Sequence, residues 1–208
     1  MQPLDVIVGL AGDPALELLN SRATPSPGSG PIELIGDGAD YLRWLARTGL
    51  INDDDLAVLQ DLFSADQLDA VAGDARTLRE KLRPILLGWV GEKPVPFPVH
   101  VVDELNALLA QDRRYTQLNP DNDATLMLHE RRHWEQPTQL LVLSAQAWAH
   151  LLAEGDPTLI RQCPGCTIIF YDRTKAHRRR WCSMALCGNR AKVRRHRTTA
   201  SSETNQRT

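Results

Sequence analysis

Four cysteines fall within one short segment of the 208-residue chain, which contains no others. They form two pairs, Cys163-x2-Cys166 and Cys182-x4-Cys187, separated by 15 residues. In the reducing cytosol, clustered cysteines are metal ligands more often than disulfide partners, which would require an oxidising compartment. Tetrahedral Zn²⁺ takes four thiolates at about 2.3 Å. The spacing therefore predicts one structural zinc ion in a closed site that leaves no position for a catalytic water.

The residues around the cysteines predict the local fold of this module. Pro164-Gly165 suits a tight knuckle between the first pair, because proline fixes one backbone angle and glycine tolerates the turn. Thr167–Tyr171 is rich in β-prone residues and Trp181 is aromatic, so we expect a hairpin between the two pairs. Ser183 is placed to cap a helix that carries Cys187. Together these features predict a treble-clef-like zinc module, which needs the metal to fold because its core is small.

The run Phe170–Arg190 ends in Cys187-Gly188-Asn189-Arg190, with Trp181-Cys182-Ser183-Met184 before it and Ala191-Lys192 after it. These residues resemble the CGNR zinc finger family of bacterial proteins, and the four cysteines correspond to that family's ligands. Gly9–Asn20 and the overall layout resemble ABATE, the helical domain usually joined to this finger, described as a proposed stress-induced transcription regulator. The resemblance implies DNA binding and transcription regulation.

Charge is divided unevenly along the chain. Residues 161–208 hold 12 Lys/Arg and two acids, a formal charge of +10, whereas residues 1–160 carry −12, which gives the net −2 of the whole chain. A basic segment on an acidic body is typical of nucleic-acid binding, in which phosphate contacts give affinity and base contacts give specificity. We predict DNA binding by the basic residues that flank the second cysteine pair: Arg178, Arg179, Arg180, Arg190, Lys192, Arg194, Arg195 and Arg197.

The basic residues before the second pair lie on the predicted hairpin, and those after it lie on the predicted helix. On that helix, Arg190, Arg194 and Arg197 share one face, and Lys192 and Arg195 lie on a neighbouring face. Arg190 has a second candidate role as a brace for the zinc site, since it lies next to a ligand. Two other interpretations stay open for the segment as a whole: a finger that holds a protein partner, and a merely solvated surface.

A second metal-binding pattern is His129-Glu130-Arg131-Arg132-His133, the H-E-x-x-H signature of zinc metalloproteases. That motif requires a helix that places both histidines on one face, with the glutamate as general base. Residues 125–134 instead show strand-like alternation, and Pro137 follows closely. We therefore predict surface histidines on a hairpin and no enzyme, with a metallohydrolase that uses His129, Glu130 and His133 as the alternative.

The first 110 residues have the apolar spacing of amphipathic helices. Asp13-Pro14, Asn52 and Ser64 are each placed to begin a helix, the last as a capping box with Gln67. Pro84 lies inside the helix predicted after Ser64, and we expect it to kink or split that helix.

After residue 110 the pattern changes. Leu126–Glu130 alternates between apolar and other residues, and Leu140–Leu143 is a second short apolar run, so we expect a small hairpin here. Ser144 is predicted to cap a helix that ends at Gly155.

These patterns predict a mainly α fold with two domains. Residues 1–158 form an α-rich ABATE-like domain with a small β-hairpin, residues 159–200 form a treble-clef-like CGNR zinc finger, and residues 201–208 form a disordered tail without apolar residues. No stretch reaches the roughly 18–20 consecutive apolar residues of a membrane span, and the N-terminus lacks the features of a signal peptide. We therefore expect a cytoplasmic protein with no membrane partner.

The function predicted from these features is bacterial transcription regulation with the finger on DNA. The helical body is then a sensor for a small-molecule effector or a homodimerisation unit. The alternatives are a finger that binds a protein partner and, less favoured by the strand-like context, the H-E-x-x-H metallohydrolase.

Overall fold

The computed structural model of the chain describes residues 7–90, 96–120 and 125–196. Its helices dominate, which confirms the mainly α fold class. In chain order they are α1 (Pro14–Asn20), α2 (Gly38–Arg47), α3 (Asp53–Leu62), α4 (Ala65–Leu87), α5 (Val99–Leu109) and α6 (Leu140–Glu154). Within the described ranges, no helix is both long and apolar enough to cross a lipid bilayer.

Three antiparallel strand pairs complete the described part of the fold. They are β1 (Arg22–Ala23) with β2 (Ile32–Glu33), β3 (Arg114–Pro120) with β4 (Leu126–Arg132), and β5 (Ile160–Gln162) with β6 (Ile169–Tyr171). Each pair forms a separate two-stranded sheet. Because a lone two-stranded ribbon is marginally stable, these pairs depend on the helices and on the metal site for support.

The predicted helix starts are confirmed by their hydrogen bonds. The Asp13 carboxylate accepts from the Ala15 amide at 3.0 Å, with proline at the first position of α1. Asn52 caps α3 through the Asp55 amide at 2.7 Å. Ser64 and Gln67 form the full capping box that opens α4. These starts were predictable because a cap involves residues only two or three positions apart.

Helix α6 lies at the centre of the body, in contact with α1, α4 and α5. Helix α6 is apolar on most sides because these helices surround it, and its Trp148 is fully buried. The Tyr41 hydroxyl of α2 reaches into this core and lies 3.3 Å from both the Leu140 carbonyl oxygen and the Ser144 hydroxyl. This core holds α1 in place, and α1 in turn positions the C-terminal module.

Buried Arg79 joins α4 to the β1–β2 hairpin. Its guanidinium donates two bonds of 2.7 Å to the Glu33 carboxylate and one of 2.8 Å to the Ser21 hydroxyl. The bidentate geometry balances the cost of burying the charge. The hairpin and its loop, residues 24–31, are thereby fixed beside the C-terminal module.

Two predictions in the body are wrong. Leu140–Leu143 opens α6 and is not a strand, and β4 pairs with β3 upstream of it. A short apolar run has no periodicity that separates a buried helix from a strand. Ser144 does not cap α6, which has already begun at Leu140, and lies buried inside it.

Of the two outcomes predicted at Pro84, the split does not occur. Helix α4 continues through Pro84 to Leu87, and buried Leu82 and Leu86 on either side hold it against the core. The kink stays a prediction.

Two predictions concern residues outside the described ranges, the C-terminal tail at residues 201–208 and the DNA contact of Arg197. Helix α5 agrees with the apolar helical spacing predicted for the first 110 residues; it begins directly after Pro98 and buries Val101 and Leu105.

Close contact between α2 and α4 gives a test of this packing. A Cβ atom at Gly38 would lie 2.3 Å from the Leu68 Cβ and 2.5 Å from its carbonyl carbon. We expect Gly38→Ala to lower the free energy of unfolding by about 1–3 kcal/mol. The matched control is Gly73→Ala in α4, whose nearest new contact is the flexible Arg76 side chain at 3.7 Å. That change should raise stability by about 0.5–1 kcal/mol in urea unfolding. Similar effects at both positions would contradict the packing.

Candidate metal centre and its basic surface

The four cysteine sulfur atoms meet at one point of the C-terminal module. One Sγ atom from each of Cys163, Cys166, Cys182 and Cys187 lies within 4.8 Å of the others, and all four are free thiols. The Sγ atoms of Cys166 and Cys187 each lie 3.6 Å from that of Cys182. Thiolates at about 2.3 Å from a tetrahedral ion lie about 3.8 Å apart. The donor set therefore fits one structural zinc ion with no open ligand position.

The first pair lies in the turn between β5 and β6. The Cys163 amide donates to the Ile168 carbonyl at 2.9 Å, which closes the knuckle. Glycine suits position 165 because a Cβ atom would lie 3.1 Å from the Trp181 ring and 3.2 Å from the Cys187 Cβ, so these neighbours would have to shift. The knuckle predicted at Pro164-Gly165 is thus confirmed by its close packing.

The hairpin predicted between the two cysteine pairs is wrong. Strand β6 pairs with β5 across the knuckle, and residues 172–183 form a loop. The basic residues before the second pair therefore lie on a loop and not on strands. The treble-clef-like fold of the whole module stays a prediction.

Buried Asp172 explains why the chain leaves the strand at this point. Its carboxylate accepts from the Thr174 amide and hydroxyl at 3.1 and 2.6 Å and from the Arg179 amide at 2.8 Å. Burial raises the pKa of Asp172, but these hydrogen bonds outweigh burial and hold the pKa below its ordinary value. His177 within the loop has the left-handed backbone conformation, with φ of 47°. Asp172 thereby organises the loop that leads to the second pair.

The second pair lies at the start of the last helix, as predicted. Met184–Gly188 forms a π-helical turn that continues as α-helix over residues 189–196. The Ser183 hydroxyl accepts from the Leu186 amide at 3.3 Å, which confirms the predicted cap. The Ser183 carbonyl accepts from the Cys187 and Gly188 amides at 3.0 and 3.1 Å. The turn directs the Cys187 sulfur towards the knuckle.

The electrostatics of the four thiols favour a cation. A hydrogen bond with Cys182 lowers the pKa of Cys166 to about 5, and the same bond together with burial raises the pKa of Cys182. Burial also raises the pKa of Cys187, although Arg190 opposes this effect. Ionisation of one thiol therefore opposes ionisation of its neighbours. A divalent ion removes this opposition because it replaces the thiol protons and compensates the charge of the thiolates.

Two of the arginines predicted to bind DNA make internal contacts instead. The Arg190 guanidinium donates to the Cys187 sulfur at 2.9 Å and to the Pro25 carbonyl at 2.7 Å. Arg179 donates to the Leu10 carbonyl at 2.7 Å and to the Cys182 carbonyl, and its guanidinium lies 4.4 Å from the Phe170 ring centroid. For Arg190, the structure favours the bracing role over a DNA contact. Such contacts orient metal ligands and join them to the body.

The module is built onto the N-terminal segment of the body. The Asn20 side chain pairs with the Ile169 backbone, donating to its carbonyl at 2.7 Å and accepting from its amide at 3.0 Å. Ile7, Ala23 and Leu34 of the body form one buried cluster with Ile168, Phe170 and the cysteines. Sequence reasoning did not identify Asn20 as a contact to the finger, because a polar residue is common at the end of a helix and gives no sign of a distant partner.

The last helix presents its basic residues on opposite faces. Lys192 and Arg195 lie beside Arg180 around one cavity, whereas Arg190 and Arg194 line another next to the loop at Pro27. Arg190 and Arg194 therefore share a face, as predicted from their spacing. Lys192 and Arg195 lie on the opposite side of the helix and not on a neighbouring one.

The H-E-x-x-H residues do not assemble into a metal site. His129 and Glu130 are consecutive on β4, so their side chains project to opposite sides. His133 follows the strand and stacks on Tyr115 with ring centroids 4.2 Å apart, while Glu130 pairs with Arg114 at 3.2 Å. Within the described ranges, the four cysteines are the one group of three or more His, Cys, Asp or Glu side chains spaced to hold a metal. The prediction of surface histidines on a hairpin is confirmed.

Comparison with protein-family models matches residues 12–155 to ABATE, described as a putative stress-induced transcription regulator, and residues 160–199 to the CGNR zinc finger. The first match covers more than half of the chain. The chain therefore belongs to the ABATE family and carries a CGNR zinc finger, a combination of regulator and zinc-finger types rather than enzyme types. Among curated proteins no significant match was found.

The zinc assignment is tested with Cys182→Ala. Since Cys182 lies 3.6 Å from two other ligands, we expect the variant to lose most of its zinc to a weak chelator, whereas the wild type keeps about one ion per chain. The thermal midpoint of the whole chain should also fall, because the cysteines share a buried cluster with body residues. His133→Ala is the control and should change neither zinc content nor stability by more than about 0.5 kcal/mol. Full zinc retention in Cys182→Ala would refute the assignment.

Buried Glu17 supports the loop of the body that holds the finger. Its carboxylate accepts from the Gly9 and Ala11 amides at 2.9 and 2.8 Å. The backbone of this loop in turn accepts bonds from Arg179 and, at Gly12, from Arg173. Burial raises the pKa of Glu17 to about 7.

The raised pKa of Glu17 predicts a pH dependence of stability. The pKa of this carboxyl is about 7 in the folded protein against an ordinary 4.5, so between these values the folded state holds a proton that the unfolded state releases. Stability should therefore decrease as pH rises through this window. Glu17→Gln keeps the accepting oxygen and cannot ionise. We expect its thermal midpoint to exceed that of the wild type at pH 8 and the difference to shrink at pH 5. A variant that is equally destabilised at both pH values would contradict this assignment.

Proposed function

We propose that the chain regulates transcription by binding duplex DNA through one face of its zinc finger. The observation that carries the proposal is the convergence of Arg180, Lys192 and Arg195 on one cavity at the surface of the finger. Phosphate oxygens are the acceptors that clustered Arg and Lys side chains bind in nucleic acids. The body, which is strongly acidic, is not expected to touch the polyanion.

The proposed DNA surface is narrower than the predicted basic segment. It consists of Arg178, Arg180, Lys192 and Arg195, all exposed on the finger. Arg179 and Arg190 are left out because their guanidinium groups bond the backbone of the body. Arg194 is left out because it lies on the opposite face of the helix.

In this proposal, residues 1–158 form the helical domain, residues 159–200 form the finger, and the protein acts in the cytoplasm without catalytic activity. The body serves as the sensor or the homodimerisation unit. An apolar surface on the β3–β4 hairpin supports a protein contact there, because Leu118, Leu126 and Leu128 are 55%, 62% and 71% exposed.

Salt dependence of binding to a pool of random duplexes tests the function. If the four cations of the proposed surface each contact a phosphate, the log–log slope of affinity against salt should be about −3.6, from about −0.9 per contact. Arg180→Gln with Lys192→Gln should make the slope shallower by about 1.8. The control is Arg43→Gln on the body, whose side chain is 53% exposed. If the zinc-loaded protein shows no affinity at low salt, the finger binds a protein partner and the DNA proposal is wrong.

A further inference from the structure

The finger has a cavity of about 290 Å³ beside Trp181, which we call the Trp181 pocket. Its lining includes the side chains of Arg180, Trp181, Met184, Lys192 and Arg195, together with Gly188. This volume lies at the lower limit for ligand pockets, so it suits part of a nucleotide better than a large effector.

The aromatic wall of the Trp181 pocket is fixed by the zinc site. The Trp181 ring packs on the knuckle, where a Cβ atom at Gly165 would lie 3.1 Å from its Cζ3. On the other side, a Cβ atom at Gly188 would lie 2.7 Å from the Met184 sulfur and 3.5 Å from Trp181 Cδ1. Two glycines thus let the ring lie close to the metal centre and leave space beside the helix.

The charge of the Trp181 pocket defines its ligand. Of the described residues that line it, three are cations and none is an acid. The Arg180 guanidinium lies 5.1 Å from the Trp181 ring centroid, so its position depends on the aromatic wall. Three cations around an apolar wall favour an anion with an attached ring.

We propose that the Trp181 pocket binds a single phosphodiester group of the DNA backbone, with the adjoining sugar against Trp181. This inference rests on the proposed function and adds a specific phosphate site to it. Lys192 and Arg195 bind the phosphate from the helix, and Arg180 binds it from the loop. Because Trp181 packs on the knuckle at Gly165, the pocket depends on the fold of the cysteine site.

The dinucleotide TpT, which has one phosphodiester, is the direct probe. The full zinc-loaded chain is labelled with 5-fluorotryptophan at its five tryptophans, and the Trp181 resonance is assigned by its loss in Trp181→Phe. At constant ionic strength, we expect TpT to shift the Trp181 resonance and leave those of Trp44 and Trp148, which are fully buried, unchanged. Lys192→Gln and Arg180→Gln should each weaken this binding about tenfold, as expected for loss of one charged hydrogen bond.

The matched control is Arg194→Gln, which removes the same charge from the opposite face of the same helix and should change TpT binding by less than about twofold. Zinc content and the resonances of Trp44 and Trp148 show whether each variant is folded. Equal weakening by Lys192→Gln and Arg194→Gln would refute the pocket, since binding would then depend on net charge alone. If inorganic phosphate binds as tightly as TpT, the sugar contact with Trp181 is wrong.

Comparison with duplex DNA separates this inference from the proposed function. A Trp181 resonance that responds to TpT in a protein without affinity for duplex DNA would support the pocket and refute the regulator function. Duplex binding that is unaffected by Lys192→Gln, with no response of Trp181, would support DNA binding and refute the pocket.

Discussion

The approach of four cysteine sulfur atoms to within 4.8 Å is the constraint on which the C-terminal part of this chain depends. It brings together a knuckle and a helix start that are separated by β6 and by a loop of 12 residues, 172–183. Four thiolates at this distance would repel one another, and a bound divalent cation compensates their charge. The ring of Trp181, the turn at Ser183 and the position of the basic helix all follow from this one cluster.

The same cluster connects the finger to the helical body. The cysteines pack against Ile7, Ala23 and Leu34, the Asn20 side chain bonds the backbone of the finger, and the Pro25 carbonyl accepts a bond from Arg190. The family models divide the chain between residues 155 and 160, but buried contacts cross that division. Binding of a metal ion that requires the folded site stabilises every element of this shared cluster. The finger is therefore coupled to α1 and the β1–β2 hairpin, so a change in either can reach the basic helix.

Sequence reasoning succeeded where the determining contacts are local. The cysteine spacing, the caps of α1, α3 and α4, and the strand character of residues 126–132 all depend on neighbours a few positions away. It failed for the partner of β6, because strand pairing is non-local and β5 lies before the knuckle. Sequence reasoning also could not tell which arginines of the finger make internal contacts. Arg179 and Arg190 bond carbonyl groups of residues 10 and 25, which lie more than 150 positions away in the sequence and give no local signal.

The pairing of Asn20 with Ile169 has an evolutionary consequence. Both hydrogen bonds end on the backbone of residue 169, and a backbone amide is the same whichever side chain it carries. The contact therefore constrains residue 20 strictly, while the residue opposite is limited only by its size and polarity in the core. At this one contact the body therefore tolerates a change of side chain at position 169. The rest of the junction has no such freedom, because Ile168 and Phe170 meet Ile7, Ala23 and Leu34 through their side chains.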